Sequence, residues 1–190
     1  MSDSFILDVG CGSGIPTIEL AKLSGGRILG IDTDQKELEK LDKKILKEGI
    51  SNRVSTRNCS ILDIDCPDET FDIIWAEGSL HMVGFENGLK QLRHLLRKGG
   101  FLVAHDGVND VSSTLNETSK LGYSLVAQFV LPENEWWENY FEPLERLIQE
   151  CSKNAENTKL VEKYQNQISF FRKNPKENIS GFYVFQKISC

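Results

Sequence analysis

Three glycines at alternate positions, Gly10, Gly12 and Gly14, follow a short apolar segment that contains the acidic residue Asp8. Glycine adopts backbone conformations that other residues avoid, and its lack of a side chain lets a ligand approach main-chain atoms. The loop itself carries no lysine or arginine. This composition favours a nucleotide-like ligand that bears positive charge over a pyrophosphate.

The spacing of these glycines differs from two common nucleotide-binding motifs. A phosphate-binding loop ends in Gly-Lys-Ser/Thr, whereas the first lysine after the glycines is Lys22. The dinucleotide fingerprint G-x-G-x-x-G would place its third glycine at the position of Ile15. A nicotinamide-dependent oxidoreductase is therefore kept only as an alternative.

An acidic residue follows at the separation that a bound nucleoside requires. Asp32 ends a second apolar segment, residues 27–31, about 20 positions after the glycines. A carboxylate there can accept hydrogen bonds from both ribose hydroxyls, and it repels a 2′-phosphate, which disfavours NADP. The alternative is that Asp32 caps the following helix, a task that Asp34 can also perform.

The segment after a later apolar strand contains the candidate acid–base groups. Glu77 is suited to a cationic group of a ligand, with helix capping as its alternative. His81 is the candidate general base because a neutral imidazole accepts a proton near pH 7, although it could also be packed or exposed. His105 is a second candidate at the end of a strand, whereas His94 lies within a predicted helix and is expected to be structural.

Strands and helices alternate along the chain and must position these groups. The patterns predict strands at 5–9, 27–31, 53–57, 71–76 and 101–105, and helices at 15–24, 34–48, 85–97 and 111–121. A strand at 123–131, two helices within 135–173 and a strand at 181–187 follow. Such alternation predicts a parallel sheet covered on both faces, with ligands at the carboxyl ends of its strands.

Four sequence blocks resemble the motifs of class I S-adenosylmethionine-dependent methyltransferases. They are Leu7-Asp-Val-Gly-Cys-Gly-Ser-Gly14, Gly30-Ile-Asp32, Phe71-Asp-Ile-Ile-Trp-Ala-Glu-Gly-Ser-Leu-His81 and Leu95-Leu-Arg-Lys-Gly-Gly-Phe-Leu-Val103. The resemblance covers residues 5–106 and implies a Rossmann-like three-layer α/β/α sandwich with a seven-stranded, mostly parallel sheet. It implies an antiparallel last strand between strands five and six, and a single domain, residues 1–190, with a helical insertion at about 133–175.

The same resemblance implies S-adenosylmethionine as cofactor, S-adenosylhomocysteine as product, no metal and a small-molecule acceptor. Methyl transfer from a sulfonium is an in-line displacement, in which positioning alone can contribute about 7–11 kcal/mol. A base is therefore needed only for an acceptor that must lose a proton, and His81 is the predicted catalytic residue. The predicted cofactor-binding residues are Asp8, Gly10, Cys11, Gly12, Ser13, Gly14, Asp32, Thr33, Ser60, Ile61 and Glu77.

The adenine side of the predicted site departs from the family pattern. Members of the family often have Gly-Asp after the third strand, where this chain has Cys59 and Ser60. The Ser60 hydroxyl and the backbone amide of Ile61 are expected to meet the adenine instead. Asp63 and Asp65 are expected to be solvated loop residues.

Composition limits the other classes of partner. The chain has 190 residues and a formal net charge of −6, which argues against nucleic acid or an anionic membrane as a general partner. Its cysteines are odd in number, scattered and without a C-x-x-C pair, as expected of free thiols in the cytoplasm. The sequence shows neither a signal peptide nor an apolar run of about 18 residues.

Two further expectations concern the rest of the chain. The aromatic residues Trp136, Trp137 and Tyr140 could form a cover for a substrate, but their helical spacing also suits a core. Only a few residues precede the first strand, where the family has a helical segment that helps to close the substrate site. A third hypothesis is therefore a cofactor-binding module that lacks turnover and needs a partner.

Overall fold

The computed structural model describes residues 4–151, 158–174 and 179–188. Within those ranges seven strands form one sheet in the order β3-β2-β1-β4-β5-β7-β6. The strands are β1 (Phe5–Val9), β2 (Arg27–Asp32), β3 (Val54–Asn58), β4 (Phe71–Glu77), β5 (Leu96–Gly107), β6 (Tyr123–Val130) and β7 (Ser180–Lys187).

The helices follow the strands in the alternation that the sequence predicts. They are α1 (Ile15–Ser24), α2 (Gln35–Lys47), α3 (Phe85–Arg93), α4 (Val108–Leu115), α5 (Glu142–Cys151) and α6 (Thr158–Lys173). A 3₁₀ turn, Leu80–Val83, follows β4, and a π-helical turn, Trp137–Phe141, precedes α5. The sheet therefore has a helix or turn after each of its first five strands except β3.

Strand directions agree with the predicted fold class. β1 pairs in parallel with β2 and β4, β2 with β3, and β4 with β5. β7 runs antiparallel to β6, because the amide of Ile188 bonds to the carbonyl of Gly122 while the amide of Leu131 bonds to that of Ser180. The seven-stranded, mostly parallel sheet with an antiparallel last strand is thus confirmed.

Two apolar layers fill the faces of the sheet. Successive residues of a strand point to opposite faces, so Ile6 packs with Ile18 of α1 and Leu41 of α2, whereas Leu7 packs with Leu89 of α3. All of these side chains are buried. The helices on the two sides make the three-layer sandwich, and they leave the carboxyl ends of the strands as the place where loops meet.

The boundary between α3 and β5 differs from the prediction. The sequence predicts a helix over 85–97 that Gly99 and Gly100 end, but α3 ends at Arg93 and β5 begins at Leu96. The glycines lie within β5, where its register against β4 shifts. Gly99 has φ +73°, and a Cβ on Gly100 would lie 2.9 Å from backbone oxygens. The glycine pair therefore forms a bulge in the strand rather than a helix end.

The helix after β5 is also shifted from its predicted range of 111–121. α4 spans Val108–Leu115, and residues 116–122 continue as turns in which several amides bond to carbonyls three residues earlier. Gly122 then takes φ +77° and leads into β6. Turns with such bonds repeat about every three residues, close to the period of an α-helix, so the residue pattern predicts one continuous helix.

The chain divides into two compact units, residues 1–129 with 181–190 and residues 130–180. In the second unit, the rings of Phe141 and Phe171 lie 4.2 Å apart, and Trp137 stacks on Phe171 at 6.3 Å. Arg172 lies over the Trp137 ring at 4.7 Å. Trp137 is therefore partly buried and packs within this unit, which agrees with the packing role, one of the two expected for the aromatic stretch.

The other two aromatic residues of this stretch, Trp136 and Tyr140, pack on each other with ring centroids 5.9 Å apart. Trp136 donates from Nε1 to Ser180 Oγ at 2.8 Å, and Tyr140 is 45% exposed. A substrate-covering role for these two residues stays a prediction. The organisation as a single domain with an insertion at about 133–175 likewise stays a prediction.

Candidate functional site

A pocket of about 410 Å³ lies at the carboxyl ends of the first four strands. This is the edge at which a parallel sheet of this type binds ligands. Five of the predicted cofactor-binding residues line it: Gly10, Asp32, Thr33, Ser60 and Ile61. Gly78 and Ser79, in the loop after β4, line its β4 side.

The glycine loop has the backbone that its sequence predicts. Gly10, Gly12 and Gly14 have φ values of +70°, +50° and +81°. A Cβ on Gly10 would lie 2.7 Å from Ser79 Cβ, and one on Gly14 would overlap Leu41, so these two glycines serve packing. A Cβ on Gly12 would meet no protein atom within 4 Å. Gly12 therefore leaves its backbone open to a ligand.

Asp32 braces the glycine loop rather than capping α2. Its Oδ2 accepts from the amide of Gly12 at 2.8 Å, and its Oδ1 accepts from the amide of Asp34 at 2.8 Å. The cap of α2 is Asp34, which accepts from the amide of Lys36 at 2.9 Å. Each carboxylate oxygen of Asp32 retains a second lone pair, so the predicted bonds to ribose hydroxyls remain geometrically open.

A second contact holds the loop from the helical side. Lys44 of α2 donates from Nζ to the carbonyl oxygen of Ser13 at 2.7 Å. Sequence reasoning missed this bond because Lys44 lies 31 residues further along the chain. The glycine loop is therefore fixed from two sides, at Gly12 and at Ser13.

Cys11 lies in the core between the glycine loop and α2. Its side chain is buried with Leu41, and a Cβ on Gly30 would approach its Sγ to 3.0 Å. Burial raises the pKa of the Cys11 thiol, and the charge of Asp8 raises it further. Only the backbone of Cys11 is therefore suited to contact a ligand.

Asp8 is buried beneath the loop and does not line the pocket. Its Oδ2 accepts from the Thr17 hydroxyl at 2.6 Å. Burial raises the pKa of Asp8 to about 7, against the lowering effect of the Thr17 bond, and the charges of Glu77 and Asp32 raise it further. Near neutral pH, Asp8 is thus a carboxyl group that changes charge.

The raised pKa of Asp8 predicts a pH-dependent stability. The folded protein binds this proton more tightly than the unfolded chain, so the free energy of unfolding falls as pH rises from about 4 to above 7. In Asp8→Asn the side chain is neutral at every pH and can still accept from Thr17. Between pH 5 and pH 8, the free energy of unfolding should fall by on the order of 2–4 kcal/mol less in this variant than in the wild type. Urea unfolding of both proteins measures this, and parallel pH profiles would contradict it.

His81 is held by a residue that the sequence did not single out as functional. Its Nδ1 lies 2.9 Å from Asp106 Oδ1, and its backbone amide donates to Asp106 Oδ2 at 3.1 Å. Asp106 is 5% exposed, whereas the His81 side chain is 41% exposed. An ionised carboxylate only accepts hydrogen bonds, so Nδ1 carries the hydrogen and Nε2 is left as the basic nitrogen.

The other histidines lie outside this arrangement. The His105 ring stacks on Phe182 at 4.4 Å, and burial lowers its pKa although Glu77 and Asp106 oppose that shift. His94 follows the last turn of α3, and its carbonyl accepts from the amide of Glu69 at 2.9 Å. His105 is thus packed within the sheet layer, and His94 has the structural position expected of it.

The remaining residues considered in the sequence lie at the ends of β4 and β3. Glu77 ends β4, is exposed, and accepts from Trp75 Nε1 at 3.2 Å, so its carboxylate caps no helix. Ser60 Oγ accepts from the amide of Leu62 at 3.2 Å while it lines the pocket. Asp63 and Asp65 are exposed, as expected.

The described residues were also compared with the requirements of a metal site and of a membrane-spanning helix. Across 4–151, 158–174 and 179–188, no group of three or more His, Cys, Asp or Glu residues could hold a metal ion. In the same part of the chain, no helix has both the length and the apolar character needed to cross a membrane.

The fold is a mostly parallel sheet covered on both faces, with a glycine loop and a pocket at the carboxyl ends of its strands. Residues 6–100, half of the chain, match the family model described as a methyltransferase domain. The chain belongs to this methyltransferase domain family. The matched segment contains both the glycine loop and His81.

Curated relatives share part of their length with this chain. Methyltransferase GfsG of Streptomyces halstedii is 33% identical over 115 residues, which is 60% of this chain and 41% of that protein. The 27-O-demethylrifamycin SV methyltransferase of Amycolatopsis mediterranei is 32% identical over 102 residues, 53% of this chain and 38% of that protein. The chain thus spans about two fifths of these relatives.

Solved structures share the fold at low sequence identity. The [4+2]-cyclase SpnF superimposes with a TM-score of 0.82 at 18% identity, over 99% of this chain and 76% of that chain. A methyltransferase from Geobacter sulfurreducens in complex with S-adenosyl-L-homocysteine gives a TM-score of 0.74 at 17% identity, over 97% of this chain and 84% of that chain. At such identities the likeness establishes the fold alone.

Proposed function

We propose that this chain is an S-adenosylmethionine-dependent methyltransferase that acts on a small-molecule acceptor. The observation that carries the proposal is the hydrogen bond at 2.8 Å from the amide of Gly12 in the glycine loop to Asp32, which lines the pocket. This arrangement offers a carboxylate to ribose hydroxyls beside backbone that a side chain does not cover. The names of the curated relatives support the same activity.

The residues present fit such a cofactor along the row of strand ends. Ser60 and Ile61 follow β3 and suit the adenine, Asp32 ends β2 and suits the ribose, and the glycine loop follows β1. Glu77, exposed at the end of β4, places a carboxylate on that side, where an ammonium or sulfonium is favoured. When bound, S-adenosylmethionine supplies an electrophilic methyl group on a sulfonium sulfur.

His81 is suited to take a proton from the acceptor. Asp106 accepts from Nδ1 and fixes the ring, so the lone pair lies on Nε2 of a side chain that is 41% exposed. This carboxylate also stabilises the imidazolium that forms when Nε2 gains a proton. We infer that the His81–Asp106 pair is the base for acceptors with a dissociable proton, and that positioning alone serves other acceptors.

The structure of the Gly12 site provides the first test. Gly12→Val should lower affinity for S-adenosylhomocysteine at least roughly tenfold, because the new side chain occupies the space that the ligand requires. Positive φ at a non-glycine residue costs about 1–3 kcal/mol, so the variant should remain folded with a lowered melting temperature. Binding is measured by titration calorimetry and folding by circular dichroism. Unchanged affinity in the folded variant would contradict the assignment of the loop.

A second candidate function is cofactor binding without methyl transfer. The specific observation that favours it is the fold shared with SpnF, whose structure is described as a [4+2]-cyclase. The two candidates separate in an assay that follows S-adenosylhomocysteine formation across a panel of small hydroxyl, amine and thiol acceptors. Product formation that depends on the acceptor supports the methyltransferase, whereas tight binding with no turnover on any acceptor supports the second candidate.

Composition supports the remaining parts of the proposal. The negative net charge and the scattered cysteines favour a cytoplasmic protein that has no nucleic acid or membrane as partner.

A further inference from the structure

The loop that follows β3 carries two cysteines, where β1 and β2 are followed by helices. Cys59 comes directly after the last residue of β3, and Cys66 follows within the same loop. Both thiols are free, and both residues are partly buried. Both also pack against the apolar layer that contains Leu7 and Leu89. The two side chains therefore lie on the same face of the sheet.

Arg57 holds the far end of this loop over that face. Alternate residues of a strand point to the same face, and the amide of Cys59 still bonds to the carbonyl of Asp32 at 3.1 Å. The extended pairing thus continues to Cys59, whose side chain shares a face with that of Arg57. Arg57 donates from Nη1 to the carbonyl oxygen of Asp65 at 2.8 Å, and the same nitrogen lies 3.5 Å from Cys66 Sγ. This guanidinium therefore joins the end of β3 to Cys66.

The charges around the two thiols give them different roles in oxidation. Burial raises the pKa of the Cys59 thiol, Arg57 opposes that shift, and Cys66 raises it further. Each sulfur therefore lies within reach of the other's charge. Thiolates, not thiols, are the nucleophiles, and a guanidinium is a suitable counter-ion for one. Cys66 has this counter-ion at 3.5 Å, whereas Cys59 has a thiol that resists ionisation.

The same loop forms the β3 side of the pocket. Cys59 lines the pocket, and so do Ser60 and Ile61, which lie between the two cysteines and are the proposed adenine contacts. Cys66 is not among the lining residues. Cys11 is buried in the opposite apolar layer, so it does not compete for either thiol. A covalent bond between Cys59 and Cys66 would therefore act directly on the cofactor site.

We propose that hydrogen peroxide converts Cys59 and Cys66 into a reversible disulfide, and that this bond lowers affinity for the cofactor. The Cys66 thiolate attacks one oxygen of the peroxide and breaks its O–O bond, which leaves a sulfenic acid on Cys66 and, after protonation, one water. The Cys59 sulfur then attacks the sulfenic sulfur, forms the S–S bond and displaces the second water. The two thiols together lose two electrons and two protons, and these reduce the peroxide to two waters.

Formation of the bond changes the wall of the pocket. A disulfide brings its two Cβ atoms to about 3.5–4.5 Å from each other. Cys66 Sγ then leaves Arg57, and Cys59 is drawn towards Cys66, so Ser60 and Ile61 lose the arrangement that suits the adenine. This effect on the cofactor rests on the proposed function, whereas the disulfide itself does not.

Peptide mapping of the whole chain tests whether the bond forms. Trypsin releases residues 58–90 as one peptide, because no lysine or arginine lies between Arg57 and Lys90. After peroxide treatment and blocking of free thiols with N-ethylmaleimide, this peptide should carry no maleimide and should be lighter than the reduced peptide by two hydrogen atoms. Dithiothreitol added before blocking should restore both maleimide groups.

Titration calorimetry with S-adenosylhomocysteine tests the effect of the bond. Peroxide treatment should weaken binding to the wild type at least roughly tenfold, and dithiothreitol should restore it. Such restoration excludes oxidation of Met82, which also lines the pocket, because methionine sulfoxide needs a dedicated reductase.

Two variants separate the roles of the two cysteines. Cys66→Ser should bind S-adenosylhomocysteine as the wild type does and should not respond to peroxide, because it leaves Cys59 without a partner. Cys59→Ser should stop the reaction at the sulfenic acid of Cys66, which dimedone labels within the same tryptic peptide. Dimedone on Cys59 in Cys66→Ser, with none on Cys66 in Cys59→Ser, would overturn the assigned order of attack.

The other outcomes also have distinct meanings. The disulfide within the peptide, together with a reversible loss of affinity, supports the proposal. Two maleimide groups after peroxide treatment, or a disulfide that leaves affinity unchanged, overturn it while the proposed function stands. A loss of affinity that persists in Cys66→Ser also overturns it, because another oxidised group is then responsible. Failure of the reduced wild type to bind S-adenosylhomocysteine overturns the proposed function and this regulation with it.

Discussion

Replacement of His81 by alanine is expected to lower turnover by about 10²- to 10⁴-fold for acceptors that must lose a proton. Nε2 is the nitrogen that Asp106 leaves available, so the variant loses the group that takes the proton. Affinity for S-adenosylhomocysteine should stay near the wild-type value, because His81 is not among the residues that line the pocket. Single-turnover kinetics and calorimetry measure the two quantities separately.

Two variants serve as controls for His81. Asp106→Asn keeps the size of the side chain but removes the negative charge that orients and stabilises the protonated ring, so turnover should fall without loss of cofactor affinity. His94→Ala removes an exposed histidine at the end of α3 and should change neither quantity. Loss of cofactor binding in His81→Ala as complete as in Asp32→Ala would contradict the acceptor-side role of His81.

Replacement of Asp32 by alanine is expected to weaken binding of S-adenosylhomocysteine roughly 10- to 100-fold. A carboxylate that accepts from ribose hydroxyls makes charge-assisted hydrogen bonds, whose loss costs about 1.5–3 kcal/mol. The structure adds that Asp32 also accepts from the amides of Gly12 and Asp34. We therefore expect the melting temperature of the ligand-free variant to fall somewhat. It would stay constant if Asp32 contacted only the ligand.

Asp34→Ala is the matched control for Asp32. Asp34 caps α2 and accepts from Lys36, so its loss should lower the free energy of unfolding by about 0.5–2 kcal/mol without changing cofactor affinity. Calorimetry and urea unfolding on both variants separate the two effects. If cofactor affinity falls equally in both variants, the loss of affinity arises from the N-terminal end of α2 and not from a lost ribose contact.

The sheet could be predicted from the sequence because its signals are local. The apolar segments around Leu7, Leu29 and Ile74 have the length and residue types of buried strands, and glycines punctuate the helices between them. Parallel strands joined by helices have few possible arrangements. The position of β7 between β5 and β6 depends on pairing across long sequence separations, and it was implied by the family resemblance alone.

The error at Gly99 and Gly100 shows a limit of local signals. Two glycines after a helical pattern commonly mark a helix end, but they can equally form a bulge in a strand. The choice depends on Leu96, which is buried in the sheet core and starts β5 before the glycines. Burial of that residue is a tertiary property that the sequence pattern does not contain.

Local sequence signals also explain why only part of the candidate site could be predicted. Gly12 and Asp32 were identified because motif spacing places both at strand ends, where the structure joins them by a hydrogen bond. His81 lies in the turn after β4 and Asp106 lies in β5, 25 residues further along the chain, and no sequence motif indicates that they pair. A polar residue near the end of a buried strand, as Asp106 is in β5, is the signal that could have indicated it.

Calorimetric titration of the wild-type protein with S-adenosylhomocysteine and with NADP, in metal-free buffer, tests the central claim most directly. The glycine loop without basic residues and the carboxylate of Asp32 predict binding of S-adenosylhomocysteine and no detectable heat with NADP. Binding of NADP with no response to S-adenosylhomocysteine would contradict the account and favour a nicotinamide-dependent oxidoreductase.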